Sequence, residues 1–503
     1  MIYIRLEGHD FQYEVEDVLR LFYQGEEVSL SYTVPPEGYR GVFILSRVER
    51  LDLSAANRQF SVKTLLGYDG ENVCDETHDF SVSFEDDKNS QYEERKSLKR
   101  EVKRQIYKVL SKYTGIRMPW GVLTGIRPAK IAHEMMDKGL SKEQITAGLK
   151  DYYFVSKEKS DLLYSIAQKE KQILDNTCAD RVSIYIGIPF CTTRCLYCSF
   201  TSNPVKKYSH MVESYMEALG KEIRSASDIL KERGLKIQSI YVGGGTPTSI
   251  DEANLRELLE SVEDSFRMES VEEYTLEAGR PDSITRQKLE TIKKSRVDRI
   301  SINPQTMNDE ILRQIGRIHT AEDIVDAFNL SREIGFDNIN MDVIAGLPGE
   351  NLDSFKHTLE RIGILGPESI TVHTMAVKRA SKLNEDKESY SLVSSNEVAQ
   401  MVETAYDFIT KMGLEPYYLY RQKNMLGNLE NIGYSKPGLE SIYNIQIMEE
   451  RQTIVALGAG AITKVVFPQD DRIERAFNVK SVEEYISRID EMIERKRKLI
   501  SQL

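Results

Sequence analysis

The chain has 503 residues, 40% hydrophobic and 29% charged, with a formal net charge of −12. That length exceeds what one compact core holds, so two or three domains are expected. The acidic balance argues against wholesale nucleic-acid binding, which needs an electropositive face. No window approaches the roughly 18 uninterrupted apolar residues of a membrane span, and Met1-Ile-Tyr-Ile-Arg-Leu-Glu-Gly8 carries charge early without an apolar signal core.

The first ~90 residues read as mixed strand and helix. Alternation marks strands at 2–6, 28–34, 41–46 and 61–66, and helical spacing marks 15–23. A polar acidic stretch at 85–91 breaks the pattern. A helix rich in Lys and Arg follows over 93–113, read as a solvated face with i,i+4 ion pairs, or alternatively as an anionic contact. Trp120-Gly-Val-Leu-Thr-Gly-Ile-Arg-Pro128 is punctuated as an ordered loop leading into a helix. Ser141-Lys-Glu-Gln144 has the form of a capping box. Residues 1–175 are therefore expected to form an N-terminal α+β domain.

From Val182 the rhythm changes to strands alternating with amphipathic helices. Strands are predicted at 182–188, 237–243, 271–277, 298–303, 337–344 and 369–374. Helices are predicted at 208–231, 251–265, 282–295, 321–334 and 351–364, with a short one after Met307. Regular βα alternation implies a parallel sheet with right-handed crossovers, either an open doubly wound sheet or a partial barrel. Polar and glycine-rich residues gather where these strands end: Gly243-Gly-Gly-Thr-Pro-Thr248, Glu277, Asn303-Pro-Gln305, Asp342 before Gly346-Leu-Pro-Gly349, and Ala376, Lys378 and Arg379. The carboxyl ends of parallel strands are where such folds build their sites. After ~380 the alternation decays, and 379–503 is expected to be a C-terminal α+β lid or substrate domain.

After the first of these strands comes Tyr185-Ile-Gly-Ile-Pro-Phe-Cys-Thr-Thr-Arg-Cys-Leu-Tyr-Cys198, a Cys-x₃-Cys-x₂-Cys run. Three thiolates on one tight loop suit three irons of a 4Fe–4S cluster, since soft sulfur selects iron–sulfur centres or zinc. A closed zinc site wants a fourth ligand nearby, and no Cys or His follows before His210. One metal position is thus expected to stay open. Cys191, Cys195 and Cys198 leave Cys74 and Cys178 as small hydrophobes, and an odd total of five cysteines fits a reducing cytoplasm better than a disulfide framework.

The cysteine spacing resembles the signature of the radical S-adenosylmethionine (SAM) superfamily. With Gly-Gly-Gly-Thr-Pro-Thr248 and Tyr-x-x-Ile-Pro-Phe before Cys191, it is similar to the oxygen-independent coproporphyrinogen III oxidase (dehydrogenase) group over most of 180–465. Leu123-Thr-Gly-Ile-Arg-Pro128 and the long N-terminal domain resemble its HemZ-type branch. The resemblance implies a partial (βα)6 radical SAM barrel, a 4Fe–4S cluster on Cys191, Cys195 and Cys198, and two SAM molecules. Carried over, Tyr185, Gly244 and Glu277 contact the cluster-bound SAM. Tyr197, Gly245, Thr246, Gln305, Arg317, Asp342 and Ala376 line the second. The implied reaction is oxidative decarboxylation of two ring propionates of coproporphyrinogen III to give protoporphyrinogen IX, fed by a low-potential donor of the flavodoxin or ferredoxin class. Arg127, Lys378, Arg379 and Arg421 are candidate clamps for the propionates. One departure stands out: the family's His two residues after the Tyr is Gly187 here, with His210, His319 and His373 as possible substitutes. A haem-delivery chaperone on the same fold, and a radical enzyme that methylates or opens haem, are the competing expectations.

Overall fold

The structure is a computed structural model, and it describes residues 2–23, 28–30, 39–51, 57–83, 90–125, 127–378, 380–385, 390–470 and 472–503. Positions 31–34 and 85–89 of the predicted elements, and Arg379, lie outside the described residues. Two compact units are present: residues 1–125 with 138–162, and residues 126–137 with 163–503. The division thus falls inside a helix near 162, and 126–137 group with the larger unit.

In the smaller unit the alternating segments form a five-stranded sheet. Its strands are β1 (Ile2–Glu7), β2 (Val28–Leu30), β3 (Val42–Arg50), β4 (Asn57–Tyr68) and β5 (Glu71–Ser83), in the order β2-β1-β3-β4-β5. β1 runs parallel to β2 and β3, and β3, β4 and β5 form an antiparallel meander. β5 has few apolar residues, which is why alternation does not reveal it. Helix α1 (Gln12–Phe22) packs on α2 (Ser90–Thr114), and α2 covers β4 and β5. α2 buries Leu98, Val102, Ile106 and Leu110, one stripe at three- to four-residue spacing. Many of its charges are spent on ion pairs: Glu94 with Arg58, Lys99 with Glu14, and Glu101 with Arg104 at 3.0 Å.

Three helices precede the second sheet: α3 (Ala129–Asp137), α4 (Lys142–Tyr153) and α5 (Lys157–Leu174). α4 opens with the expected capping box, in which the Ser141 hydroxyl accepts from the Gln144 amide and the Gln144 side chain accepts from the Ser141 amide.

The strands of the larger unit are β6 (Arg181–Ile188), the two-residue β7 (Phe190–Cys191) and β8 (Asn203–Pro204), β9 (Lys236–Gly244), β10 (Glu273–Gly279), β11 (Arg299–Gln305), β12 (Ile339–Ala345), β13 (Ser369–Thr374), β14 (Glu415–Tyr420), β15 (Asn431–Ser435), β16 (Thr453–Leu457), β17 (Ile462–Phe467) and β18 (Arg472–Phe477). All but β7 and β8 join one sheet, ordered β14-β15-β13-β12-β11-β10-β9-β6-β16-β17-β18. β6 and β9 to β13 lie side by side in chain order, each parallel to the next. This order selects the partial-barrel alternative: successive right-handed crossovers with no reversal keep the helices on one face. Those helices are α6 (Val205–Glu232), α7 (Glu252–Ser265), α8 (Arg286–Lys294), the short α9 (Asp309–Gln314), α10 (Ala321–Ile334) and α11 (Leu352–Leu365). The fold is α/β, as expected, and the sheet is open.

The sheet also continues past the six expected strands. β16 adds in parallel to β6, β17 and β18 extend that edge antiparallel, and β15 and β14 extend the opposite edge from β13. The remaining helices are α12 (Lys382–Glu385), α13 (Ser395–Lys411), α14 (Ile442–Glu449), α15 (Val482–Ser487) and α16 (Ile489–Ile500). No helix among the described residues is long and apolar enough to cross a membrane.

Candidate functional site: a three-cysteine loop at the carboxyl ends of the parallel strands

β6 ends at Ile188, and the chain turns directly into the cysteine loop. That loop is clasped by the glycine loop at the end of β9. The Gly245 amide donates to Ile188 O at 2.8 Å and the Thr246 amide to Phe190 O at 2.7 Å. A Cβ on Gly245 would lie 2.5 Å from Phe190 O and 3.0 Å from the Cys191 sulfur, so glycine is required for this approach. The Thr246 hydroxyl donates to Cys191 Sγ at 3.5 Å.

The other side of the loop is held by the end of β10 and by the turn after α9. Arg280 Nη1 donates to Thr193 O at 3.1 Å, to the Thr193 hydroxyl at 2.8 Å and to Cys195 Sγ at 3.6 Å. Asp282 holds that guanidinium at 2.9 Å, accepts from the Thr192 hydroxyl at 2.6 Å and lies 3.2 Å from His319 Nδ1. Burial works against its charge, yet His319, Arg280 and Thr192 keep the Asp282 carboxyl well below the ordinary range. Arg280 and Asp282 escape notice in the sequence because Arg280-Pro-Asp282 reads as the lead-in to a helix. The structure extends β10 to Gly279, which puts both residues at a strand end like the others. Leu196 N donates to Ile315 O at 2.9 Å and the Thr193 hydroxyl to Gly316 O at 2.7 Å, completing the cradle.

Cys191 and Cys195 are buried and Cys198 is partly buried. Burial raises the Cys191 thiol and pushes Cys198 up to about 11. Three thiols on one loop with N–H and O–H donors on two of the sulfurs fit a polynuclear iron–sulfur cluster. Of the other cysteines, Cys74 is half-buried and Cys178 is exposed.

Glu277 is on β10 and Asp342 on β12, with β11 between them. The Tyr241 hydroxyl donates to Glu277 at 2.6 Å. Burial pushes Glu277 up to about 7, helped by the Asp342 charge and opposed by the Tyr241 hydrogen bond. Asp342 goes the other way. Burial would raise it, but His373 at 3.7 Å and the Asn340 amide at 2.8 Å hold it below its ordinary value. Two carboxylates are thus pushed toward opposite protonation states. The Tyr185, Tyr241 and Tyr443 rings form a triangular cluster, with 6.3 Å between the Tyr185 centroid and each of the other two and 4.6 Å between those two. Tyr443 could not be found by pattern, since an aromatic at a helix start reads as core.

Arg317 is buried, donates to Asn303 O and reaches the Tyr197 hydroxyl at 3.2 Å. Gln305 closes β11 at φ +69, a left-handed conformation unusual outside glycine, next to a register shift between β11 and β12. Among the described residues, Gln305 Oε1 and Arg317 Nε are buried without a hydrogen-bond partner, the condition expected where a polar ligand belongs. Ala376 is buried and bridges to Met425.

The candidate clamps separate. Arg127 donates to Glu449 O at 3.2 Å and pairs with Glu450 at 2.9 Å. Arg421 is buried against Asn428 O at 2.7 Å and Leu429 O at 3.3 Å. Lys378 lies over Phe200 with its nitrogen 5.6 Å from the ring, close enough to Cys198 to feel its charge. Gly187 faces Tyr185, where an added Cβ would sit 3.3 Å from the ring. Of the histidines, His210 is exposed, His319 is held by Asp282, and His373 stands between Asp342 and the Tyr420 hydroxyl, which is 3.4 Å away.

The class defined by this fold and loop is the radical SAM superfamily, whose family model matches residues 185–362. Among curated proteins, the oxygen-independent coproporphyrinogen-III oxidase-like protein HemZ of Bacillus subtilis (strain 168) is 45% identical over 398 residues, 78% of this chain and 79% of that protein. The heme chaperone HemW of the same strain is 31% identical over 282 residues, 56% of this chain and 70% of its own. Among solved structures, the radical SAM enzyme coproporphyrinogen III oxidase (HemN) from Escherichia coli aligns with a TM-score of 0.49 at 23% identity, covering 65% of this chain and 73% of that one. Within the superfamily, this chain belongs to the HemZ family of oxygen-independent coproporphyrinogen-III oxidase-like proteins. Membership implies a 4Fe–4S cluster and SAM.

Proposed function

We propose that this protein catalyses the oxygen-independent oxidative decarboxylation of coproporphyrinogen III to protoporphyrinogen IX, with Cys191, Cys195 and Cys198 as ligands of a 4Fe–4S cluster and SAM on its open iron. The observation that carries the proposal is the three-cysteine loop clasped by the glycine loop of β9, in a chain 45% identical to a coproporphyrinogen-III oxidase-like protein. When bound, the cluster and SAM supply one-electron cleavage of a carbon–sulfur bond and a radical that abstracts hydrogen from unactivated carbon.

The chain's own residues bind and orient. Arg280, Arg317 and Thr246 direct hydrogen-bond donors at the cysteine sulfurs, a lever on cluster potential. Glu277 takes the methionine ammonium of SAM, Gly244 lets the backbone approach it, and Tyr185 flanks it. Tyr197, Gly245, Thr246, Gln305, Arg317, Asp342 and Ala376 line a second SAM. The unpartnered Gln305 Oε1 and Arg317 Nε support that placement. Lys378 meets a propionate, and Arg127 and Arg421 shape the surroundings through their backbone contacts. His373, set by Asp342 and Tyr420, supplies the imidazole missing at position 187. In a reducing cytoplasm, a flavodoxin- or ferredoxin-class donor supplies the electron that cleaves each SAM, and a one-electron acceptor takes the electron that each substrate radical releases with carbon dioxide.

The test is anaerobic. The cluster is reconstituted and reduced, SAM and coproporphyrinogen III are added, and products are followed by mass spectrometry. Loss of one and then two carbon dioxide units, with 5′-deoxyadenosine formed, is the expected result, and Cys198→Ala abolishes both. SAM cleavage with coproporphyrinogen unchanged would reject the substrate. The 31% identity to a heme chaperone gives that outcome a second meaning, haem delivery, which haem titration and transfer to an apo-haemoprotein would then test.

A further inference from the structure

Away from the cysteine loop, three titratable side chains meet in the interior of the larger unit. His133 comes from α3, Glu170 from α5 and Glu449 is the last residue of α14. His133 Nε2 lies 2.8 Å from Glu170 Oε2 and 4.0 Å from Glu449 Oε2, and the side chains are 3%, 0% and 1% exposed. One ligand atom from each falls within 4.8 Å of the others.

The hydrogen-bond inventory does not close. A neutral imidazole has one N–H to give, and it faces two carboxylates with four oxygens. Among the described residues, Glu170 Oε1 and Glu449 Oε1 are both buried without a partner. Of the neighbouring cations, Lys130 acts on Glu449 only through its charge, and three others are engaged elsewhere. Arg127 pairs with Glu450, Lys171 with Asp137 and Asp175 at 3.1 and 3.0 Å, and Arg451 with Asp137 at 3.7 Å. Buried carboxylates are tolerated when paired, protonated or bound to metal. Burial and mutual repulsion hold Glu170 well above the carboxylate range, burial pushes Glu449 up to about 7, and burial lowers His133 to about 4. A divalent ion removes the whole conflict: two carboxylates neutralise its charge, and an unprotonated imidazole is the form that ligates.

We propose that His133, Glu170 and Glu449 bind one divalent first-row transition-metal ion, a structural site separate from the iron–sulfur cluster. One imidazole and two carboxylates suit zinc, manganese or ferrous iron rather than the soft-metal chemistry of the cysteine loop. The site draws three helices together. The other end of α14 is fixed by Glu273 on β10, which accepts from the Ile442 amide at 2.7 Å and the Ser441 hydroxyl at 2.9 Å. Tyr443, at that end, stacks on Tyr241, whose hydroxyl holds Glu277. The ion therefore anchors the far end of the helix that supports the aromatic wall of the candidate site.

Mn²⁺ is the probe of choice, because nitrogen and oxygen donors accept it and thiolates do so poorly. The cluster-loaded full chain is depleted of loosely bound metal and titrated with Mn²⁺, following the free-ion signal by electron paramagnetic resonance. The expected result is one Mn²⁺ per chain, an upward shift in unfolding temperature on binding, and competition by Zn²⁺. Cys198→Ser keeps the Mn²⁺ site, whereas Glu170→Gln and Glu449→Gln each weaken it at least tenfold. Should either Gln variant misfold, the other or His133→Gln serves the same purpose. No saturable binding by the wild type, or equal binding by wild type and the charge-removing variants, overturns the proposal and leaves a proton-sharing hydrogen-bond cluster. Because decarboxylation is not the readout, failure here is distinguishable from failure of the proposed reaction.

Discussion

Glu277 shows how one side chain couples the fold to the site. Its carboxyl sits at about 7 in the folded protein, above the ordinary 4.5, chiefly because it is buried. The folded state therefore holds a proton that the unfolded chain releases. Stability from this group is full below pH 4.5 and is lost as pH rises through 7. The loss amounts to about 3 kcal/mol. Comparing wild type with Glu277→Gln by urea unfolding between pH 4.5 and 8 isolates it, since the other buried acids cancel. On the contact proposed above, affinity for SAM runs the opposite way: an ammonium needs the ionised carboxylate, so binding strengthens as pH rises through 7, until the amino group of SAM itself deprotonates near pH 8. Calorimetric titration should show that dependence flattened, and affinity lowered at pH 8, in Glu277→Gln. Glu277 and the cysteines were legible in the sequence because their chemistry is unusual at a strand end. Arg280, Asp282 and Tyr443 were not. Their significance lies in contacts of Arg280 to Cys195 and Thr193, of Asp282 to Thr192 and His319, and of Tyr443 to Tyr241, made across separate strands and helices, which no local pattern encodes.

Among elements, the pairing of the glycine loop with the cysteine loop is the critical joint. A methyl on Gly245 would collide with Phe190 O at 2.5 Å and with Ile188 O and Cys191 Sγ at 3.0 Å, two of them backbone atoms that cannot step aside. Gly245→Ala should lower stability by about 1–3 kcal/mol, the usual cost of overpacking. More tellingly, it should reduce iron per chain after reconstitution. Gly187→Ala is the control: its Cβ would come no nearer than 3.3 Å to Tyr185, a side chain able to give, so iron content should hold. Iron analysis and the visible absorbance of the cluster decide both. The parallel strands were legible to within about two residues because strands buried on both faces give continuous apolar runs bounded by glycines and helix caps. β14 to β18 were harder to see. They are five or six residues long and largely antiparallel, and β16 sits beside β6 although some 270 residues separate them in the chain.

At the scale of the larger unit, an open sheet needs its last parallel strand covered, and a buried polar hub on α6 does this. Glu222 accepts from the Gly458 amide at 2.8 Å, the Asn478 amide group at 2.9 Å, the Tyr485 hydroxyl at 2.6 Å and the Lys496 ammonium at 2.5 Å. One carboxylate thus ties the β16–β17 turn, the end of β18, α15 and α16 to the helix that follows the cysteine loop. Gly458 needs glycine here, since its φ is +98 and a Cβ would lie 2.3 Å from Gly187 O. Lys496 and Glu222 are 5% and 1% exposed, so removing either partner strands a charge in the interior. Glu222→Ala should cost about 3–5 kcal/mol, as for other broken buried pairs. Replacing both charges, in Glu222→Leu with Lys496→Met, should recover part of that cost, because an apolar pair of similar volume needs no desolvation. Urea unfolding of the larger unit, with the single and double variants compared, measures the coupling. A double variant as unstable as Glu222→Ala would mean that the carboxylate matters for the backbone and Asn478 donors it satisfies. A recovered double variant would mean that the ion pair, once half removed, is the main liability. In either case the cysteine loop feels the change through Gly187, whose carbonyl accepts from the Tyr215 hydroxyl at 2.6 Å beside Gly458. Iron retention should therefore fall in Glu222→Ala in parallel with stability.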